Sequence, residues 1–331
     1  MGDPPPVFVA AVAHVAPVYG DVAATLDKVD GVAADARARG ADIVVFGEAF
    51  VPGFPLWALV HAPVDVHGFA RRLAESALEV PGRETARLGA LARRHGIFLS
   101  VGVTERGPAG AGTLFNTNLL FGPDGALVNR RRKIMPTWAE KLVWGQGDAA
   151  ELRPVPTAIG AVGVLICGEN TNPLARYALA AQGEQLHIST YPPAWPFRRH
   201  DPPDYARWVQ LRSAAHAFEA KVVNLTAASH LDDRTVAAVA AGDAGVEKLL
   251  RDAPSAPSLV VGPGGEVIAG PVSGREEILV APVDLGECLA HKLAHDVAGH
   301  YQRHDLFALT LDQRPQPPIR LITGDRARDH G

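Results

Sequence analysis

Short apolar runs rich in Val and Ile alternate along this chain with longer Ala- and Arg-rich segments of amphipathic pattern. Unbroken apolar runs fit buried strands, and apolar residues recurring every three to four positions fit helices, so the alternation reads as an α/β fold. The pattern predicts strands at 7–14, 43–46, 97–103, 116–121, 126–131, 161–166, 185–189, 222–225, 258–261 and 278–283. It predicts helices at 22–39, 69–78, 84–95, 173–181 and 205–220, with loops at 135–153 and 190–203 and a surface helix pair within 235–252. Gly40 and Gly183 stand where the first and fourth of these helices should stop, and Gly122-Pro123-Asp124-Gly125 is a turn between two strands.

No fixed-period repeat and no Ser/Gly or Pro linker divides the 331 residues, so one large domain over 1–331 is expected. Lys and Arg total 32 against 36 for Asp and Glu, which leaves no electrostatic footprint for a polyanion and argues against nucleic acid as a partner. The two cysteines, Cys167 and Cys288, are too few for a disulfide scaffold or a four-cysteine zinc site. The start Met1-Gly2-Asp3-Pro4-Pro5-Pro6 lacks a basic signal region, and the apolar run 7–18 is interrupted by His14 and Pro17 and falls short of the roughly 20 residues of a membrane span. A cytoplasmic protein with reduced thiols and no membrane partner is the expectation.

Glu48, Lys133 and Cys167 each follow a short apolar strand, and ligand crevices in α/β sheets open at the C-terminal strand ends. Alone, each has an ordinary explanation: a cysteine there is usually a small buried hydrophobe, and a Glu or Lys at a loop start is usually solvated. Together they supply a nucleophile, a base for its proton and a cation for a developing anion.

The neighbouring residues carry a resemblance. The stretch Val45-Phe46-Gly47-Glu48-Ala49-Phe50-Val51-Pro52-Gly53-Phe54-Pro55-Leu56-Trp57 resembles the glutamate motif of the nitrilase branch of the carbon-nitrogen hydrolase superfamily. Arg131-Arg132-Lys133-Ile134-Met135-Pro136-Thr137-Trp138-Ala139-Glu140 resembles its lysine motif, and Gly163-Val164-Leu165-Ile166-Cys167-Gly168-Glu169-Asn170-Thr171-Asn172-Pro173 its cysteine motif. The similarity runs from about Val7 to about Leu311, which leaves a tail over 312–331.

The resemblance implies a four-layer α-β-β-α sandwich. It also implies hydrolysis of an organic nitrile to a carboxylic acid and ammonia, through a thioimidate and then a thioester on Cys167. Glu48 would be the base, Lys133 would stabilise the tetrahedral intermediates, and Glu140 would orient substrate or relay protons. Phe54, Trp57, Trp138, Gly168, Asn170, Tyr191 and Trp195 would contact substrate. Water and a small nitrile would be the only small partners, with no metal or organic cofactor, and the chain would form a homodimer extending to a larger oligomer or spiral. An amidase or carbamoylase of the same superfamily, a cyanide-hydrolysing enzyme and an inactive assembly protein are the alternatives.

A free thiol with a pKa of about 8.5 is only a few per cent thiolate at neutral pH. A cation at Lys133 and a helix N-terminus after Cys167 are therefore expected to lower it, while burial should raise Glu48 into the range of a general base. The backbone N–H of Gly168 is a natural second donor to an oxyanion. Many relatives carry Trp after the nucleophile where this chain has Gly168, so that wall of the pocket should be smaller. His187 reads as a packed core histidine, the run His291, His295, His300 and His304 as surface rather than a metal site, Cys288 as structural, and Asn224-Leu225-Thr226 as a buried strand rather than a glycosylation site.

Overall fold

The computed structural model describes residues 4–108, 112–197 and 204–316. The first three residues, part of the expected 190–203 loop and most of the expected C-terminal tail lie outside them. Twelve strands occur among the described residues: β1 (Val7–His14), β2 (Ile43–Val45), β3 (Phe98–Arg106), β4 (Leu114–Phe121), β5 (Leu127–Arg132), β6 (Val155–Thr157), β7 (Gly160–Ile166), β8 (Leu186–Tyr191), β9 (Val223–Ala228), β10 (Ser258–Val261), β11 (Val267–Val272) and β12 (Glu277–Asp284). They form two six-stranded mixed sheets, ordered β12-β1-β2-β3-β4-β5 and β11-β10-β9-β8-β7-β6. The helices are α1 (Val22–Ala38), α2 (Trp57–Val60), α3 (His67–Ser76), α4 (Arg83–His95), α5 (Pro173–Ala181), α6 (Tyr205–Ala220), α7 (Asp233–Ala240), α8 (Ala244–Arg251) and α9 (Gly286–Lys292).

Strand periodicity sorts side chains into layers. In β1, Ala11 and Ala13 join an outer core with Leu26, Val29 and Val32 of α1 and Leu88 and Leu91 of α4. Its alternate residues Ala10 and Val12 face the opposite way, into a second core with Ile188, Val223, Leu225 and Val260 of the other sheet. On the far side, Ala175, Ala178 and Leu179 of α5 cover Leu165, and Ala217 of α6 covers Leu259 and Val261. The layers run helix, sheet, sheet, helix, as the resemblance implies. Each fully buried aliphatic side chain in these cores contributes roughly 1.5–3 kcal/mol.

Several elements depart from the sequence reading. Thr190 and Tyr191 belong to β8, not to a loop, because Thr190 pairs with Ile166 and Tyr191 with Ala228 across the parallel ladder. β6 is too short to show an apolar run, and the Gly270-Pro271 pair within β11 reads as a strand breaker; β11 is an exposed edge strand, where Pro271 breaks no ladder on its open side. Within the expected 135–153 loop, Trp138–Leu142 forms a 3-10 turn.

The two sheets converge at the C-terminal ends of β2, β7 and β8. Glu48 N donates to Tyr191 O at 3.2 Å, and His230 N to Val15 O at 3.1 Å. Gly47 makes the approach possible, since a Cβ there would lie 2.6 Å from Ser229 Oγ and 2.7 Å from Ser229 N.

Candidate active site

Three chain segments turn sharply where the sheets converge, and each places a left-handed non-glycine residue at its bend: Ala49 (φ 45°), Trp138 (φ 48°) and Cys167 (φ 50°). Such backbone costs of order 1–3 kcal/mol and persists where packing over-determines it. At Cys167 the strand β7 ends and a 3-10 turn, Cys167–Thr171, begins at once, so the thiol is thrown out of the ladder.

The turn is held by two side chains that follow the nucleophile. Glu169 accepts from Ile166 N at 2.9 Å, Ile134 N at 2.7 Å and Arg131 Nη2 at 2.8 Å, which ties the cysteine turn to the end of β5 in the other sheet. Asn170 points inward: its Nδ2 donates to Leu165 O and to Cys167 O, both at 3.1 Å, and its Oδ1 faces His187 Nε2 and Ser189 Oγ. Asn170 thus fixes the nucleophile's own carbonyl and does not line the cavity.

Lys133 continues β5 beside β4, its N–H donating to Asn116 O at 2.8 Å. Its ammonium bridges Glu48 Oε1 at 2.8 Å and Glu140 Oε2 at 2.6 Å. Asn116 Nδ2 also donates to Glu48 Oε1, at 2.7 Å, and Thr137 N caps Glu140 Oε2 at 2.8 Å. Glu48 Oε2 and Glu140 Oε1 are buried and accept no hydrogen bond among the described residues. Cys167 Sγ and one carboxylate oxygen of each glutamate all lie within 4.8 Å of one another. The fold therefore brings Glu48, Lys133, Glu140 and Cys167 into one buried cluster.

Two carboxylates and one ammonium leave this cluster one negative charge when all are ionised. Burial, opposed by Lys133 and reinforced by the charge of Glu140, pushes Glu48 up to about 7. Burial alone would lower Lys133, but Glu140 and Glu48 outweigh it and hold the ammonium well above its ordinary range. The thiol differs from the sequence expectation. Burial and the Glu48 charge push Cys167 well up, and Lys133 offsets them only in part. A five-residue 3-10 turn does not overcome that desolvation, so the enclosed site works against the thiolate rather than for it.

A cavity of about 200 Å³ opens over Cys167 and Gly168. Trp138 and Trp195 line it together with Phe197, Tyr205 and Trp208, and Arg212 of α6 faces it as well. The Tyr205 hydroxyl stands 3.8 Å from Cys167 Sγ. Phe54, Trp57 and Tyr191 do not line this cavity, although they share a buried hydrophobic cluster with Cys167. Phe54 meets the edge of Trp144, Trp57 stacks on Phe69 at a separate cavity of about 340 Å³, and Tyr191 is fully buried. Sequence reasoning missed Asn116, Tyr205 and Arg212, which no motif flags; only the β4 pairing and the α6 packing bring them here. His187 is buried and bonded to Glu184 and Asn170, and Cys288, away from the cluster, is pushed up to about 11 by burial. The helix pair expected at 235–252 is α7 and α8, with α7 starting two residues earlier, at Asp233.

The carbon-nitrogen hydrolase family model matches residues 9–292. A nitrilase of Paraburkholderia phymatum is 36% identical over 310 residues, covering 94% of this chain and 88% of the relative. An aliphatic nitrilase of Sinorhizobium fredii is 36% identical over 323 residues, covering 94% and 98%. A bromoxynil-specific nitrilase of Klebsiella pneumoniae subsp. ozaenae is 34% identical over 324 residues, covering 95% and 88%. Among solved structures, a carbon-nitrogen hydrolase of Helicobacter pylori G27 superposes with a TM-score of 0.72 at 19% identity, covering 91% of this chain and 97% of that one; it speaks for the fold alone. With the family model spanning both sheets and all three motif turns, the chain belongs to the carbon-nitrogen hydrolase family.

Proposed function

We propose that the protein is a nitrilase, converting an organic nitrile and two waters to a carboxylic acid and ammonia, with Cys167, Glu48, Lys133 and Glu140 as its catalytic residues. The observation that carries this reading is a buried carboxylate pushed up to about 7, with one oxygen free of hydrogen bonds, inside 4.8 Å of a buried thiol. The relatives named nitrilase supply the substrate class.

Because the thiol is held up, attack and proton loss go together. Cys167 Sγ bonds to the nitrile carbon while its proton passes to Glu48, and the nitrogen, gaining negative charge against the Lys133 ammonium, takes that proton back from Glu48 to give a thioimidate and leave Glu48 a carboxylate again. Glu48 then draws a proton from water as it adds to the thioimidate carbon; the nitrogen, protonated in turn, leaves as ammonia and a thioester remains. A second water releases the acid and restores the thiol. Lys133 and the Gly168 N–H act on the charge that builds in each tetrahedral intermediate, where one such donor is typically worth about 2.7–4 kcal/mol. Glu140 keeps Lys133 charged and aimed. Trp138, Gly168 and Trp195 contact the substrate's body.

The test is ammonium release from phenylacetonitrile and from phenylacetamide, combined with mass spectrometry of the Cys167 peptide after nitrile exposure. Ammonium from the nitrile and an adduct on Cys167 are expected; cleavage of the amide alone would sink the nitrilase reading. We also propose that the chain self-associates through apolar residues that α5 and α6 leave exposed, Leu174, Leu211 and Phe218, and that it works in a reducing compartment with both thiols free. Sedimentation as a monomer at micromolar concentration would contradict the first. No helix of the described residues is long and apolar enough to cross a membrane.

A further inference from the structure

The cavity over Cys167 has one charged wall. Its other sides are aromatic, and Arg212 faces it from α6, half-buried. Among the described residues no carboxylate pairs with Arg212 and no acceptor takes a hydrogen bond from it; its contact is the face of Trp208, with Cζ 5.9 Å from the ring centroid. Trp208 is itself set edge-on to Phe197, with centroids 6.3 Å apart. The arginine is thus placed by an aromatic pair rather than neutralised by an acid.

The charges around it make the placement informative. Inward lies the Glu48, Lys133 and Glu140 cluster, which with Glu48 ionised carries one net negative charge and would repel an anion approaching the thiol. Outward, Thr137, Trp138, Gly168 and Arg212 are shared with a second cleft of about 440 Å³, where the further charged groups are Lys141 and Glu169. Glu169 is already bound to Arg131 at 2.8 Å. A guanidinium with unused donors, in a part-dry apolar wall, is the group best suited to take a carboxylate by two parallel hydrogen bonds. An uncharged substrate would leave it desolvated without return.

We propose that the substrate is a cyano-carboxylate, its nitrile on Cys167, its apolar body against the tryptophans and its carboxylate on Arg212. This rests on the reading of Cys167 as attacking a nitrile. The specificity determinant is then a charge, and Arg212 turns a site that repels anions into one that accepts them in a single orientation.

The test compares 5-cyanopentanoate with hexanenitrile, which differ only in a terminal carboxylate against a methyl. In the wild-type protein kcat/KM for the acid should exceed that for the neutral nitrile at least tenfold, chiefly through KM. In Arg212→Gln that ratio should fall at least tenfold, and Arg212→Lys, which keeps the charge, should retain part of it. Equal ratios in wild type and Arg212→Gln would overturn the proposal. A second arm does not depend on nitrile chemistry: the ratio of iodoacetate to iodoacetamide alkylation rates at Cys167 should drop at least fivefold in Arg212→Gln. If neither nitrile is turned over while this ratio drops, the nitrilase reading fails and the anion site stands; if the ratio is unchanged, the anion site fails.

Discussion

Two of the buried glutamates among the described residues behave oppositely. Glu48 and Glu184 are both fully buried. Glu184 meets His187 Nδ1 at 2.6 Å and His216 Nε2 at 2.8 Å, so both its oxygens are bonded. Burial would raise it, but the charges and hydrogen bonds of the two histidines outweigh burial and hold it down at about 2. Among the described residues Glu48 has both its side-chain bonds, from Lys133 and Asn116, on one oxygen and none on the other, and its neighbour Glu140 adds a like charge; it is pushed up to about 7. Burial does not by itself mark a reactive carboxylate. What marks it is an incomplete set of partners, which leaves an oxygen to take a proton.

The difference can be broken most severely at the sulfur. Cys167→Ala should abolish ammonium release, by up to about 10⁶-fold if it behaves as other nucleophiles do, while the circular dichroism spectrum stays that of the parent. Activity within tenfold of wild type would remove the thiol from the chemistry.

Glu48→Gln should cost roughly 10²–10⁴-fold in kcat/KM and erase an ascending limb of the pH profile near 7. It also reveals the sign of the linkage. A carboxyl raised from 4.5 to about 7 favours the fold while protonated, so its contribution is complete below about 4.5 and is lost as pH rises through about 7. Chemical denaturation should therefore show the parent losing stability relative to Glu48→Gln between those values. Glu184, held at about 2, contributes in the opposite sense: its stabilisation is present above about 4.5 and is lost as pH falls towards 2.

Lys133→Met leaves Glu48 and Glu140 facing each other with no cation between them. A loss of roughly 10²–10³-fold in kcat is expected from the missing charge at the developing anion. The limb assigned to Glu48 should move to higher pH, because the attraction that restrained its pKa is gone. A limb that stays put would mean that the base is another group.

The smallest effect on turnover should come from Glu184→Gln. Removing the charge between His187 and His216 should cost about 1–3 kcal/mol of stability, read as a lower urea midpoint, with less than about tenfold change in kcat. A larger catalytic loss than Glu48→Gln would invert the contrast between the clusters.

Much of the site was legible in the chain because its parts sit where apolar runs end. Glu48, Lys133 and Cys167 each follow a strand, whereas Glu140 came with the motif resemblance and is brought to the Lys133 ammonium by the separate 3-10 turn Trp138–Leu142. The layer order came with the motif resemblance; the alternation of strands and helices fits it, but which faces are buried emerges only in the fold, where β1 is covered on both sides. Other features have no local signal. Asn116 reaches Glu48 only because β4 lies between β3 and β5, and Arg212 and Tyr205 arrive on a helix distant in sequence. Asn170 stands three residues after the nucleophile, as a pocket residue could, but its amide turns inward to bond carbonyls that only the fold supplies. The upward shift of the Cys167 thiol follows from total burial, which spacing along a chain does not reveal.

Gly168 has a consequence for how this chain can change. A Cβ on it would sit 2.6 Å from Thr137 Oγ1, a contact that even alanine cannot make unless the threonine yields. A substitution at 168 therefore requires the Thr137 hydroxyl to move, whatever it does to the substrate's fit. A replacement that first removes the Thr137 hydroxyl opens the route, and a bulky residue can then enter. The two positions are coupled: any side chain at 168 has to be accommodated by Thr137, so a library that varies 137 and 168 together reaches pocket shapes that varying 168 alone reaches less readily.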